Sequence, residues 1–195
     1  MGNGGNGRLI RLFGYQEELS LDPRGRFRLP DNLVAVLHQE LGRVRHVDPS
    51  LAQGPAVERL SFYLVPGTRK RIFIYPTPNV GLAIESFESP PPGIDPEIIR
   101  HAREYLYHRM RYVEADKQNR VAISEGLRDH AEIDESVQQI TLTAHNCWLA
   151  LTRSELAEQR VRENLEAFKQ AAPDLLDPVN PRPPAAPGLS AEEDL

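Results

Sequence analysis

Cysteine is nearly absent from this sequence, since Cys147 is the only one among 195 residues. A single cysteine excludes an internal disulfide framework and fits a reducing compartment. Long apolar runs are also absent, because no stretch approaches the roughly 20 apolar residues of a membrane-spanning helix. The first eight residues lack the apolar centre of a signal peptide, and we expect them to be a disordered leader. We therefore expect a cytoplasmic protein with no membrane partner.

The sequence also lacks the signatures of common catalytic and cofactor sites. It contains no phosphate-binding loop, dinucleotide fingerprint, zinc ribbon or GxSxG elbow. Cys147 stands in a strand-like segment beside Trp148, with no base placed by a motif, which predicts a small buried thiol. His101 and His108 are seven residues apart, too far to chelate a metal as a pair on one helix. We expect no enzyme, no cofactor, no metal site and no small-molecule substrate.

A strong excess of one charge is missing as well, because the net charge is only −5. From residue 174 onward five acids and one base contribute −4, which leaves −1 for the rest of the chain. A nearly neutral body argues against a protein that coats nucleic acid, but it allows a local basic patch to bind DNA. The prolines and acids near the end predict a disordered acidic tail over residues 173–195.

One local basic patch is the segment LDPRGRFRLP at residues 21–30. Asp22, Pro23 and Gly25 are typical of a tight turn. Three arginines project from this turn and from the strand that leaves it: Arg24, Arg26 and Arg28. A single copy of such a turn is more often a solvated loop than a binding site. A second copy of the same turn would favour a binding site over a solvated loop.

A second copy stands at residues 112–130, at a constant offset of 94. Asp116 aligns with Asp22, Asn119 with Gly25, and Arg120 with Arg26. Asn is the non-glycine residue that best tolerates left-handed backbone, so the same turn can form. A helix and two strands are expected after each copy. The chain is therefore predicted to be an internal duplication whose halves pack as one pseudo-symmetric unit.

The doubled pattern resembles the MraZ family, within the wider class of SpoVT/AbrB-like swapped-hairpin transcription factors. Four segments carry the resemblance, which covers residues 9–168: Phe13-Gly14, LDPRGRFRLP, IFIYPTP and EADKQNRVAIS. Asn119 and Ser124 stand where the family usually has Gly and Pro, and residues 43–59 are longer than its connector. The resemblance implies an α+β fold with two tandem swapped-hairpin repeats. These would form a pseudo-symmetric, β-barrel-like core with helices, followed by a C-terminal helix.

The expected segments follow from the resemblance and from local signals. They are a leader (1–8), a first repeat (9–88), a linker with a connecting helix (89–111), a second repeat (112–153), a last helix (154–172) and the tail (173–195). Within the first repeat we expect a helix from Pro30 to Gly42, an irregular segment at 43–59, and strands at 60–65 and 71–75. The connecting helix begins well at Asp95 and carries an apolar stripe from Ile98 to Met110. Thr152 and Glu155 have capping-box spacing for the last helix.

The resemblance further implies a bacterial transcriptional regulator, acting as a repressor of the division and cell-wall gene cluster. It would associate with the nucleoid and bind direct repeats in double-stranded DNA upstream of its own operon, as a ring-like homo-oligomer. Two alternatives remain. One is an antitoxin-like AbrB/MazE-type module that neutralises a protein partner. The other is a structural ring protein without DNA binding, which Asn119 and the acidic charge balance would favour.

The chemistry of the two turns suits DNA. A two-stranded ribbon fits the major groove, which is about 12 Å wide, and the arginine fork binds phosphate or a guanine edge. The predicted DNA-binding residues are Arg24, Arg26, Arg28, Lys117 and Arg120. The predicted turn-orienting residues are Asp22, Gly25, Asp116 and Asn119.

Within this set, we expect Asp22 and Asp116 to anchor Arg26 and Arg120, while the other three cations reach DNA. Both Asp–Arg pairs could instead be plain intraturn ion pairs of little energetic weight. The orienting and contacting roles could also be exchanged. Since one hairpin supplies few phosphate contacts, several hairpins presented by an oligomer are expected to act together.

Overall fold

The computed structural model describes residues 9–12, 14–47, 59–88 and 92–171. Its strands and helices confirm the predicted α+β class. The predicted leader and acidic tail lie outside the described residues, as do Phe13 and most of the predicted 43–59 segment. No helix in the described ranges is long and apolar enough to cross a membrane.

The chain contains two successive sets of elements. The first half comprises strands β1 (Gln16–Ser20) and β2 (Arg26–Arg28), helix α1 (Asp31–Val47), strands β3 (Ser61–Gly67) and β4 (Arg71–Pro76), a 3-10 turn (Thr77–Asn79) and helix α2 (Val80–Glu88). Helix α3 (Pro96–Arg109) follows. The second half comprises strands β5 (Arg111–Glu114) and β6 (Arg120–Ala122), helix α4 (Glu125–His130) and strands β7 (Gln139–His145) and β8 (Trp148–Arg153). Helix α5 (Ser154–Ala171) ends the described chain.

Strand pairing connects the two halves. Six antiparallel strands form one sheet in the order β1-β7-β8-β4-β3-β5. The first strand of each half therefore pairs with the third strand of the other half, β1 with β7 and β5 with β3. A separate two-stranded sheet joins β2 to β6. Both halves are needed to complete either sheet.

The predicted barrel-like core differs from the sheet that these strands form. In the described part of the chain, β1 and β5 each pair with one neighbour only, so the six-stranded sheet is open and has two free edges. After each of these strands the chain turns away into β2 or β6, which are only three residues long. The sheet therefore does not close into a barrel.

Two apolar clusters hold the unit that ends at Ala157. The larger cluster takes buried side chains from both halves, including Leu37 of α1, Ile74 of β4, Leu127 of α4 and Leu149 of β8. Alternate residues of β4 point to the opposite face of the sheet. There Tyr75 joins the smaller cluster with Leu106 of α3. A second unit begins at Glu158, and within it Val161 and Leu165 of α5 are exposed.

Helix α1 is longer than predicted, because it continues through Gly42 to Val47. Glycine inside a helix costs about 1 kcal/mol relative to alanine. However, Val44 is fully buried in the larger cluster, two turns beyond Leu37. The Arg43 guanidinium also donates to the Glu40 carboxylate and to the backbone carbonyl of Leu9. Packing and this hydrogen bonding outweigh the glycine.

Three other elements differ from, or add to, the predictions. Helix α3 begins as predicted, since the Asp95 carboxylate accepts the Glu97 backbone N–H at 2.8 Å. Its apolar stripe is mostly unburied, however, with Ile98 61% exposed.

The predicted capping box is wrong, because β8 continues through Thr152 and the Glu155 carboxylate binds Arg153 instead. Helix α2 has no predicted counterpart.

Candidate nucleic-acid interface

Two loops with the same backbone join β1 to β2 and β5 to β6, and we call them the first loop (22–25) and the second loop (116–119). In the first, the Gly25 N–H donates to the Asp22 carbonyl at 2.9 Å, and in the second the Asn119 N–H donates to the Asp116 carbonyl at 2.9 Å. Gly25 and Asn119 have φ values of +69° and +57°. Glycine adopts this left-handed conformation freely, and asparagine tolerates it better than most residues. The two sequences therefore form equivalent turns.

A carboxylate organises each loop. In the first loop, Asp22 Oδ1 accepts the N–H groups of Arg24 and Arg26 at 2.9 Å each, while Oδ2 binds the Arg26 side chain through Nε and Nη2, both at 2.7 Å. In the second loop, Asp116 Oδ1 accepts the N–H groups of Gln118 and Arg120 at 2.8 and 3.0 Å. Its Oδ2 binds Arg120 Nε and Nη2 at 2.7 Å each. We call each arrangement an Asp–Arg latch.

The latches lower the pKa of both carboxylates. The side-chain hydrogen bond from Arg26 is the largest cause of a lowered pKa at Asp22. At Asp116 the backbone N–H of Arg120 is the largest cause, and the pKa falls to about 2. A carboxylate that accepts several N–H groups is stabilised in its charged form. Each latch therefore fixes both the loop backbone and the orientation of its arginine.

The two loops lie side by side. The Leu29 N–H donates to the Asn119 carbonyl at 2.8 Å, and the Ile123 N–H donates to the Gly25 carbonyl at 3.0 Å. Arg26 Nη1 also lies 4.0 Å from Asp116 Oδ2, so the first latch reaches the carboxylate of the second. The left-handed residue of each loop thus binds the strand that leaves the other loop.

One face of the sheet of β2 and β6 is buried, and the other carries arginines. Phe27 lies opposite Val121, and both side chains are buried. Because side chains alternate along a strand, the neighbours of these residues share the other face. On that face Arg28 lies opposite Arg120, and Arg26 lies opposite Ala122. Three arginines therefore share the face directed away from the apolar core.

The five predicted DNA-binding cations differ in how they are held. Arg26 and Arg120 are partly buried in the latches. Arg28 is exposed and pairs with Asp31 at 2.8 Å. Arg24 and Lys117 are exposed at the loop tips, and neither side chain forms an ion pair within the described residues. We call these five cations, with their paired carboxylates Asp22, Asp31 and Asp116, the basic face; five positive and three negative charges give it a net charge of +2.

The surroundings of the first loop add one residue that the sequence pattern does not select. Arg128 of α4 lies against Gly25, and both line a groove beside this loop. The acidic residues Asp134 and Glu135 line the same groove. The aligned position in the first half is Val34, so a search for repeated charges passes over Arg128.

Other candidate residues lie apart from this face. Cys147 is buried as predicted, but it lies in the turn between β7 and β8 and not in a strand. Burial raises the pKa of its thiol. His101 and His108 are exposed on α3. Among the described residues, no group of three or more His, Cys, Asp or Glu side chains could hold a metal ion.

Chemically, the basic face can bind a polyanion through guanidinium and ammonium donors held on a rigid two-stranded ribbon. Among known proteins, no family model and no curated protein matches this chain. The functional argument therefore depends on the geometry and charge of the two loops.

Proposed function

We propose that this chain is a sequence-specific DNA-binding transcriptional regulator of the MraZ type, which acts as a repressor. The basic face would contact double-stranded DNA in direct repeats upstream of its own operon, in the division and cell-wall gene cluster. One observation carries this proposal. Two loops with identical latches lie side by side on a ribbon whose outward face carries three arginines.

The strand pairing supports a swapped-hairpin arrangement for the two repeats. Strands β1 and β5 each add to the sheet through the opposite half, while β2 and β6 pair with each other. In this arrangement the two loops are presented by both halves together. One chain would then offer a pair of loops to one stretch of DNA.

The cations would have different roles in DNA binding. Arg26 and Arg120 are engaged in the latches and would hold the loops in shape. Arg24 and Lys117 at the tips would meet phosphates or base edges in the major groove, which accepts a two-stranded ribbon. Arg28 would exchange Asp31 for DNA at small cost, because both partners are more than half exposed.

Self-association would supply the affinity that one chain lacks. Non-specific contacts of this kind give dissociation constants of about 10⁻⁴ to 10⁻⁶ M at physiological salt. A homo-oligomer that meets several direct repeats raises the effective concentration of each loop at its site. Exposed apolar residues of α3, among them Ile98 and Tyr107, are side chains that such an assembly could bury.

A gel-shift titration against the DNA upstream of the protein's own coding region, at two salt concentrations, tests the proposal. We expect binding that weakens steeply with salt and is lost in Arg24→Ala/Arg28→Ala. The control is Arg100→Ala/Arg162→Ala, which removes two exposed cations from α3 and α5. Unchanged binding by the loop variant would contradict the assigned surface.

Light scattering tests the oligomer separately. A single monomeric species would contradict the multivalent part of the proposal. An intact oligomer that binds no DNA would instead favour the structural-ring alternative. Capture of a specific protein that requires the segment after β8, without DNA binding, would favour the antitoxin-like alternative.

A further inference from the structure

A groove of about 480 Å³ lies beside the first loop. One part of its lining is the loop itself, through Asp22, Pro23 and Gly25. Another part is the segment 133–139, which leads into β7, together with Arg128 of α4. The groove therefore adjoins the loop whose tip carries Arg24.

Arg128 packs directly on the backbone of the first loop. A Cβ atom placed on Gly25 would lie 3.0 Å from Arg128 Cδ and 3.1 Å from Nε. Both the positive φ of Gly25 and this close approach disfavour a side chain at the position. In the second loop Asn119 carries a Cβ, and Val34 occupies the position that aligns with Arg128. This arginine is a feature of the first loop only.

The donors and charge of Arg128 are not fully used by the protein. Its Nε is buried and has no hydrogen-bond partner among the described residues. Arg128 also forms no ion pair within those ranges, in contrast to Arg26 and Arg28. Because Nε is covered by the first loop, an outside acceptor can meet this guanidinium only through its Nη atoms, and a half-buried charge without a counter-charge favours such an acceptor. Its position beside the proposed DNA-binding loop indicates what that acceptor is.

We infer that Arg128 contacts a DNA phosphate beside the first loop, an inference that rests on the proposed function. Contact with Gly25 limits the movement of the side chain, and a phosphate oxygen is the acceptor that a guanidinium fits best. Since Val34 cannot make this contact, Arg128 adds a contact with the DNA backbone at the first loop that has no counterpart at the second. The two loops of one chain are then unequal in affinity.

Three carboxylates line the groove with Arg128, and two of them oppose this contact, since Asp22 is already paired with Arg26 in the latch. Asp134 and Glu135 line the same groove and are exposed. The Asp134 carboxylate accepts hydrogen bonds from the backbone and hydroxyl of Ser136, and Glu135 is the next residue along the chain. Exposed charges are screened by salt, so they weaken a phosphate contact without abolishing it. Glu135→Gln should therefore strengthen DNA binding.

The salt dependence of DNA binding distinguishes a phosphate contact from a structural role. Each contact contributes about 0.9 to the slope of log K against log salt, which is about 3.5-fold in affinity between 50 and 200 mM. The probe is the duplex from upstream of the protein's own coding region. Arg128→Met keeps an unbranched side chain against Gly25 but removes the charge, and Arg128→Lys keeps the charge. Arg100→Met, on α3, removes a cation from outside the groove.

Between 50 and 200 mM salt, the factor by which affinity falls should be about 3.5 times smaller for Arg128→Met than for the wild type. Arg128→Lys and Arg100→Met should keep the wild-type slope. A wild-type slope in Arg128→Met would overturn the inference, even if its melting temperature falls. Arg128→Gln serves as the neutral variant if the methionine variant does not fold. Weaker binding by Glu135→Gln would also count against the contact. A wild-type protein that binds no duplex at either salt would overturn the proposed function as well.

Discussion

The two loops share one backbone but differ at the positions that face outward. Both contain the Asp–Arg latch, with the same four hydrogen bonds to each carboxylate. Between aspartate and arginine, however, the first loop has Pro23-Arg24-Gly25 and the second has Lys117-Gln118-Asn119. The latch satisfies backbone donors that the turn would otherwise leave open, so the fold depends on it. The tip positions are exposed, so the fold leaves them free to differ.

The two halves also differ in how they leave their last sheet strand. After β4 a 3-10 turn leads into α2, whereas β8 continues directly into α5. At the end of this 3-10 turn the first half contains a buried polar residue, Asn79. Its Nδ2 donates to the carbonyls of Ile10 and Cys147 at 2.8 and 2.6 Å, and its Oδ1 accepts the Ile10 N–H at 2.8 Å. One amide thus ties the start of the described chain to the β7–β8 turn.

The largest effect is expected at this amide. Asn79→Ala leaves three backbone groups without their partner, and we expect a loss of about 3 kcal/mol in the free energy of unfolding. Urea unfolding at neutral pH measures it. Asn164→Ala, at an exposed position of α5, is the control and should change stability little. A loss below about 1 kcal/mol at Asn79 would show that the halves do not differ in this way.

A smaller effect compares the two left-handed residues. Gly25→Ala places a Cβ against Arg128 at positive φ and should cost about 1–3 kcal/mol. Asn119→Gly relieves the strain of positive φ but adds freedom to the unfolded chain, and should stay within about 0.5 kcal/mol of the wild type. The same unfolding measurement applies to both variants. Equal losses would mean that the loops are packed alike.

The smallest effect concerns the pH dependence of the latches. Because folding lowers the pKa of Asp116 from its ordinary value of 3.8 to about 2, its contribution to stability is present above pH 4. That contribution is lost as the pH falls through about 2. Folding lowers the pKa of Asp22 in the same direction.

Melting temperatures followed by circular dichroism from pH 7 to pH 2 measure this loss of stability. Asp116→Asn should start with a lower melting temperature at pH 7 and lose less of it between pH 4 and pH 2 than the wild type does. Asp22→Asn should behave in the same direction. If Asp116→Asn loses as much as the wild type in that interval, the latch does not stabilise the fold through its charge.

Local signals allowed much of the fold and of the candidate site to be predicted. Alternating apolar residues predicted β3 and β4 to within a few residues, and the acid and proline at residues 95 and 96 predicted the start of α3. Gly42 misled the prediction of α1, because burial of Val44 depends on distant residues. Arg128 lies 103 positions from Gly25 in the sequence, so no local pattern could bring the two together.

The two turns follow from local sequence alone, since Asp, Gly or Asn, and Arg act on backbone within five residues. Local sequence also determines the alternation that divides each strand between core and surface. The pairing of β1 with β7 and of β5 with β3 depends on the folded chain as a whole, and so does the placement of the two latches side by side. Local geometry depends on neighbouring residues, whereas strand partners depend on which apolar faces can be buried together across the whole chain.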